Sequence, residues 1–312
     1  MAATSSRAEK QPKSVWLAER PPVKRKADQP AGLDLDKIVA ATVRLLDAEG
    51  LAKFSMRRLA AELGVTAMSV YWYVDTKDDL LELAMDAVAG ELHLPDESDE
   101  GADWRDQLRH LAFEYRKLLL AHTWLPKLLG EYLNFGPRSV AFSNATLRVM
   151  ARSGLAKKSA SGALAAVFQF IYGFCSIQGQ HRARCRAEGT TLDEYFHRVV
   201  EAVRDRPRFA ETMDLSVNAT YAREGMTIEQ MLDDDFAFAL DLQIAGIEAM
   251  RERQRAAAAA ESSGTDGPGS DTGHPGSDAD NPGCDTGIPG SDTGIMGTPG
   301  SDPGTDPAAT TP

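Results

Sequence analysis

Every strong hydrophobic periodicity along the chain is helical. Ile38, Thr42, Leu45 and Leu46 form the buried stripe of a first helix that Asp34 or Asp36 starts and Gly50 closes. Met56, Leu59, Ala60 and Leu63 repeat behind Ser55 as a cap and stop at Gly64, where a left-handed residue is cheap. Thr66 caps a third helix, in which Val70 and Val74 fall on one face and Met68, Tyr71 and Trp72 on the other. Further on, Trp104, Leu108, Leu111, Tyr115, Leu118 and His122 mark a helix ending near Trp124 and Pro126. Gly136-Pro137 opens another that runs through Val140, Ala141, Leu147, Val149 and Met150 to Gly154. Ser159 or Ser161 caps a long helix over 163–175 and on to about Ala187 and Gly189, apolar nearly all round. The final helix carries one stripe of Phe236, Leu240, Ile244 and Ile247 and a second, roughly opposite, of Phe238, Leu242, Ala245 and Ala249. The pattern predicts an all-α fold, a three-helix N-terminal unit followed by a larger helical domain.

Two short helices joined by a glycine turn, with aromatics exposed on the second, have the layout of a DNA-reading helix-turn-helix. Such a helix fits the major groove, where apolar atoms meet thymine methyls and guanidinium or phenol groups reach phosphates and base edges. Arg57 and Arg58 project from the first turn of the second helix, and Arg57 suits a bidentate contact to guanine. The competing structural reading makes Tyr71, Trp72 and Tyr73 core aromatics, but three adjacent side chains cannot all face one core.

With the helix before it, this stretch resembles the N-terminal domain of the TetR/AcrR family of bacterial transcriptional regulators over roughly Leu33 to Leu92. The family's aromatic-rich helix end, short polar turn, lysine and long helix are met by 71–74, Asp75-Thr76, Lys77 and 78–81. The resemblance implies DNA contacts from Ser55 and Arg57 on the second helix, from Ala67, Met68, Tyr71, Trp72 and Tyr73 on the third, and from Lys77 beside a phosphate. Ala67 and Met68 carry no strong hydrogen-bonding group, so reading is expected through apolar contact, Arg57 and DNA shape.

More loosely, Trp104 to about Met250 resembles the core of the tetracycline-repressor branch, through Asp103-Trp104-Arg105, the run 119–125 and Gly154-Leu155. That likeness implies a homodimer paired through two late helices and a small-molecule effector held in the core, which releases the reading heads from an operator. Candidate pocket walls are Leu92, His93, His110, Tyr115, Trp124, Tyr132, Phe135, Phe168, Tyr172, Phe174 and Gln178, an apolar and aromatic set with a few polar groups. His93, read as the end of the helix linking the two domains, stands where tetracycline repressors place a polar contact. Residues 125–133 contain no histidine for a drug-bound magnesium, so tetracycline is not the expected effector.

The formal charge of −12 at first argues against a nucleic-acid partner. Nine of the acids and no base lie in 261–312, which leaves −3 on the rest, and the segment ahead of Asp34 carries a local +4. Residues 1–33, with four prolines, read as a flexible basic arm in which Arg25 and Lys26 are the best placed to meet DNA. Residues 34–80 form the DNA-binding unit and 81–256 the effector and dimerisation domain. The segment 257–312 cycles through a Gly-Ser-Asp-Thr-Gly type seven-residue repeat, cannot bury enough apolar surface to fold, and lacks the spacing of a calcium loop.

Three cysteines, no secretory leader and no apolar run judged long enough to span a bilayer predict a cytoplasmic protein without a membrane partner. His181 and Cys185 lie four apart, but two ligands make no zinc site, so neither metal nor cofactor is expected. No Gly-x-Ser-x-Gly elbow, phosphate-cradling loop or His-Glu-x-x-His pair occurs, and Asp233-Asp234-Asp235 is read as a run preceding a helix, so the chain is not expected to be an enzyme. The reading is therefore a dimeric, effector-responsive repressor of double-stranded operator DNA. Its alternatives are an effector-independent DNA binder and a helical protein-interaction module.

Overall fold

The computed structural model of the chain describes residues 14–17, 33–96, 99, 101–204, 206–212 and 225–263, all within one compact unit, Met1–Thr265. Arg25, Lys26, Cys284 and the repeats of the second unit, Asp266–Pro312, lie outside the described residues.

Helices and turns account for the described secondary structure, with no strand among the described residues. The head contains α1 (Leu35–Glu49), α2 (Met56–Leu63), α3 (Ala67–Tyr71) and α4 (Lys77–Ala89). Each is started by a side chain that accepts from an otherwise unpaired amide: Asp34 from Lys37, Ser55 from Arg58, Thr66 from Ser69, and Thr76 from Asp79 in a reciprocal capping box. Gly64, at φ 67°, ends α2 in the left-handed region that a turn this tight requires. Ile38, Leu46, Leu59, Val70, Val74 and Leu80 close the apolar interior among these helices.

Beyond them run α5 (Trp104–Ala121), α6 (Leu125–Leu129), α7 (Pro137–Arg152), α8 (Lys157–Glu188), α9 (Leu192–Arg204) and α10 (Ile228–Ser263). α5 is central, with Leu108, Leu111, Ala112 and Leu119 buried between α7 and α8. Phe236 of α10 sits among Phe113 of α5 and Phe170 and Phe174 of α8, with ring centroids 5.3–5.5 Å apart.

α4 belongs to both halves of this packing. It lies along α1 on one side and against α7 on the other. Its buried Asp86 accepts the backbone N–H groups of Arg138 and Ser139, each at 3.0 Å, and so caps α7 from outside that helix. The approach is close enough that a Cβ on Gly136 would lie 2.1 Å from Asp86 Oδ1, so residue 136 has to be glycine for steric reasons.

The structure corrects several sequence expectations. α8 begins at Lys157, ahead of both Ser159 and Ser161, and has no side-chain cap. α6 is a separate short helix where a single helix end was expected, and α9 was not anticipated at all. Asp233-Asp234-Asp235 lie inside α10, because that helix starts at Ile228. Within 1–33, Ser14 and Val15 are buried, and Ser14 donates to the Glu82 carboxylate, so this piece of the arm is packed because Val15 is apolar enough to anchor it. By length and composition α8 does reach what a membrane crossing needs, with an 18-residue window of mean hydropathy 1.5, of which 17% is buried within the chain. Its small and aromatic residues raise hydropathy without filling one face, and Val167, Ile171, Cys175 and Gln178 nonetheless point into the helical core.

The Asp86–Gly136 contact yields a double-mutant test. Asp86→Ala should cost about 0.5–2 kcal/mol for the lost cap, and Gly136→Ala about 1–3 kcal/mol for the overpacking it forces. Together they should cost less than the sum, because removing Oδ1 and Cγ relieves the two closest of the three clashes with the methyl and leaves only the Cβ of residue 86, at 2.5 Å. Urea unfolding at one fixed protein concentration measures all three variants, and strict additivity would contradict the geometry.

Candidate functional site

α3 is only five residues long and cannot hold itself together by its own hydrogen bonds. It is held by Val70 and Val74, both sealed into the head, and this anchoring turns the opposite face outward. On that face Met68, Tyr71 and Trp72 are 68%, 42% and 39% exposed. Ser55 and Arg57 are also exposed, and Arg57 makes no hydrogen bond or ion pair among the described residues. Ala67 is half-buried against the head's interior.

Three other residues expected at DNA are engaged with the protein itself. Arg58 donates to Glu49 through Nη2 (2.6 Å) and Nε (3.0 Å) and to Glu62 at 3.4 Å, bracing α2 against the end of α1. The Tyr73 hydroxyl donates to the Leu33 carbonyl at 2.7 Å, which ties the end of the α3 segment to the start of α1. Lys77, first residue of α4, donates to the Phe54 carbonyl at 3.2 Å and lies over the Phe54 ring. These contacts fix the pose of α2 and α3 relative to their neighbours.

The head is joined to the core by a polar cluster that sequence pattern gave no means to see. Asp47, near the end of α1, accepts from Trp124 Nε1 at 2.7 Å and meets His122 Nδ1 at 2.8 Å. Glu91, just past α4, meets His122 Nε2 at 3.1 Å. With a carboxylate at each ring nitrogen, only the doubly protonated imidazolium can donate to both. Burial opposes that charge, but the hydrogen bonds that His122 donates to Asp47 and then to Glu91 outweigh it and raise its pKa above the ordinary value.

The residues expected to line one pocket fall in several places. Tyr115 and Phe168 come together, centroids 5.4 Å apart, and are joined by Phe142 of α7, which the sequence reading did not single out. Burial, followed by the nearby Cys175 and Tyr172, holds the Tyr115 phenol well above its usual range. Tyr172 donates to the Pro126 carbonyl at 3.0 Å, and Trp124 is buried at the head–core joint. His93 lies past the end of α4 rather than ending it, exposed and 2.7 Å from Glu114, and His110 Nε2 meets the His93 carbonyl at 2.7 Å. Those two histidines form a surface pair because Gly90 has already stopped the helix that was expected to carry His93 inward.

Gln178 is fully buried, and its partner is a residue that the sequence reading missed. Arg116, on α5, donates through Nη2 to Gln178 Oε1 at 3.2 Å and to Asp233 Oδ1 at 2.7 Å, with its guanidinium 4.6 Å from the Phe236 ring centroid. A single arginine in an amphipathic helix reads as a solvated residue, so only the distant Asp233 and Gln178 reveal it. Beside it opens a cleft of about 530 Å³ lined by Phe113, Glu114, Arg116, Lys117, Leu120 and Ala121 of α5 and Arg182 of α8. Cys175, adjacent in the core, has its thiol pushed up to about 12 by burial and stays protonated. No group of three metal-ligating side chains occurs among the described residues.

A glycine-hinged pair of short helices on a larger helical core is the architecture of a DNA-binding regulator. Residues 38–84 match the family model for bacterial regulatory proteins of the tetR family, and residues 94–251 match that for the tetracyclin repressor-like C-terminal domain. The chain belongs to the TetR family of transcriptional regulators. It is 39% identical over 178 residues to an HTH-type transcriptional regulator of Saccharopolyspora erythraea, covering 57% of this chain and 73% of that one. It is 30% identical over 226 residues to the HTH-type transcriptional repressor DrrR1 of Streptomyces coeruleorubidus, covering 72% of this chain and 80% of that one. Among solved structures, that of the TetR family protein ActR of Streptomyces coelicolor in complex with actinorhodin is similar, with 26% identity, a TM-score of 0.58, and coverage of 70% of this chain and 97% of that one.

The joint at His122 makes stability depend on pH with a definite sign. A pKa raised in the folded state contributes stability that is full below the unfolded value of about 6.5 and is lost as the pH rises through the folded value. The thermal midpoint of the wild-type protein should therefore exceed that of His122→Gln by the widest margin near pH 6. Scanning fluorimetry from pH 5.5 to 9 should show this margin shrinking as pH rises, and a constant margin would contradict the imidazolium assignment.

Proposed function

We propose that this protein is a dimeric repressor whose helix-turn-helix, residues 34–80, reads operator DNA and whose helical domain, residues 81–256, binds a small-molecule effector and a second copy of the chain. The observation that carries the proposal is the outward face of α3, where a helix too short to stand alone is pinned from behind so that Met68, Tyr71 and Trp72 meet solvent. Large apolar side chains held out on a rigid support are suited to a groove wall. Ser55 and Arg57 flank that face at the start of α2 and supply polar contacts, while Arg58, Tyr73 and Lys77 set its pose. Family membership, the printed name of DrrR1 as a repressor and the ligand complex of ActR support the same reading. They also support a cytoplasmic regulator with no catalytic role.

Dimerisation follows from α10. Its stripe of Phe236, Leu240, Ile244 and Ile247 is buried within the chain, while on the other side Phe238 and Leu242 are 67% and 58% exposed. This excludes the arrangement in which α10 is wholly buried in one monomer. A 36-residue helix with a second bare apolar face is suited to the matching face of another copy, and α8 also carries an exposed Ile177. Two linked heads then bind two half-sites with far more affinity than one. An effector that favours the other arrangement of the heads lowers operator affinity by linkage, with no need to touch DNA.

The DNA flanking the protein's own coding region is the first target for a mobility-shift assay. Arg57→Ala should weaken the specific complex by about 1–3 kcal/mol, and an unchanged shift removes Arg57 from the reading surface. In sedimentation experiments the wild-type protein should run as a dimer, and Phe238→Asp with Leu242→Asp as a folded monomer. A wild-type monomer would overturn the interface.

A further inference from the structure

Resting on the reading of the chain as an operator-binding regulator, we propose that residues 14–17 form a clip on α4 that sets the reading head for DNA without touching the duplex, with Ser14, Val15 and Glu82 as its positioning residues.

Asp78, Glu82 and Asp86 are spaced four apart on α4 and so lie along one face of it. Each is held by a different piece of chain from outside the head helices. Asp78 accepts from the Tyr132 hydroxyl at 2.8 Å, just after α6, and Asp86 accepts the two amides that start α7. The middle carboxylate is held by the N-terminal segment. The Ser14 hydroxyl and the Val15 backbone N–H both donate to Glu82, and these are its hydrogen-bond partners among the described residues. At 3% exposure Glu82 is out of reach of bulk water, and a carboxylate buried that deeply without donors is strongly disfavoured. Burial, with Asp79 and Asp78 nearby, lifts its pKa, and the hydrogen bonds from Ser14 and Val15 pull it back, so the segment is what favours the ionised form there.

The segment is shaped for this contact. The Leu17 N–H donates to the Ser14 carbonyl at 3.1 Å, and the Trp16 N–H donates to Ser14 Oγ at 3.3 Å, which closes a turn with the hydroxyl already aimed. Ser14 and Val15 are each 7% exposed, although chain ends fray unless something holds them. The link from the clip to DNA reading runs through α4. Lys77, its first residue, donates to the Phe54 carbonyl just ahead of α2, and only residues 72–76 separate α4 from the end of α3. Where α4 is set, α2 and α3 follow. Without the clip, α4 gains other settings, and measured affinity falls by the fraction of molecules that leave the binding pose. Ser14 and Val15 are buried against α4, not offered to a phosphate, so the counterions released on binding stay the same in number.

Fluorescence anisotropy on the full chain with DNA from beside its own coding region, over a salt series and well below each variant's thermal midpoint, tests this. Val15→Asp should weaken the complex about tenfold or more with no change in the slope of log affinity against log salt. Ser14→Ala, a milder change, should weaken it about threefold, and Ser14→Thr, which keeps the hydroxyl, should regain most of that. Glu82→Ala should also weaken it, and combined with Val15→Asp it should add less than its own separate effect, because both release one clip. Wild-type affinity in Val15→Asp, full additivity of the pair, or a salt slope reduced by either substitution would overturn the positioning role, the last by showing a phosphate contact. Hydrogen exchange separates this from the regulator reading, since the α4 amides should exchange faster in Val15→Asp than in wild type with or without DNA. Faster exchange with no wild-type complex removes the regulator reading, and unchanged exchange with an intact complex removes only the clip.

Discussion

The molecule depends on α4 being packed twice. Leu80, Leu81, Ala84, Met85 and Val88 close the interior shared with α1 and the core, while Asp86 starts α7 by accepting two of its first amides. A helix committed on both sides cannot tilt without disturbing either the reading head or the bundle behind it. On the far side of the head, Asp47 is held by His122 and Trp124, so α1 is likewise tied to the corner between α5 and α6. The position of α3 in space is thus set by contacts made far from α3.

The same constraint explains why α3 can be so short. A five-residue helix has almost no intrinsic stability. Its direction comes from Val70 and Val74 behind it, from the Thr66 cap before it and from the Tyr73 hydroxyl on Leu33 after it. Local sequence is therefore free to place Met68, Tyr71 and Trp72 outward, where they would be poor choices for a solvated surface and good ones for a groove.

What could be read from sequence was whatever is local. Caps at Asp34, Ser55 and Thr66, the stop at Gly64 and the two stripes of α10 follow from propensity and period, and the structure has them where pattern placed them. α6 escaped because five residues are too few to show a period, and α10 was started late because its acidic first turns look like a loop ahead of a helix. The regulatory core was harder for a different reason. Arg116, Asp233 and Gln178 lie on three helices, and each is unremarkable alone. Likewise His122 looked like one more member of a helical stripe, although both its nitrogens meet carboxylates from other elements. His93 was expected at a helix end pointing inward, but the chain stops helically at Gly90 and leaves it on the surface. Pairings between distant segments carry no local period, and these decide where a polar site forms.

The central claim is that two copies of the α3 face enter successive major grooves, carried by one α8–α10 interface. Hydroxyl-radical footprinting of the protein on DNA from beside its own coding region tests it most directly. The account predicts two protected patches on one face of the duplex, their centres about 34–36 Å or a multiple of that apart, each lost together when Tyr71 and Trp72 are replaced by alanine. A single patch, or protection that survives those replacements, would contradict it.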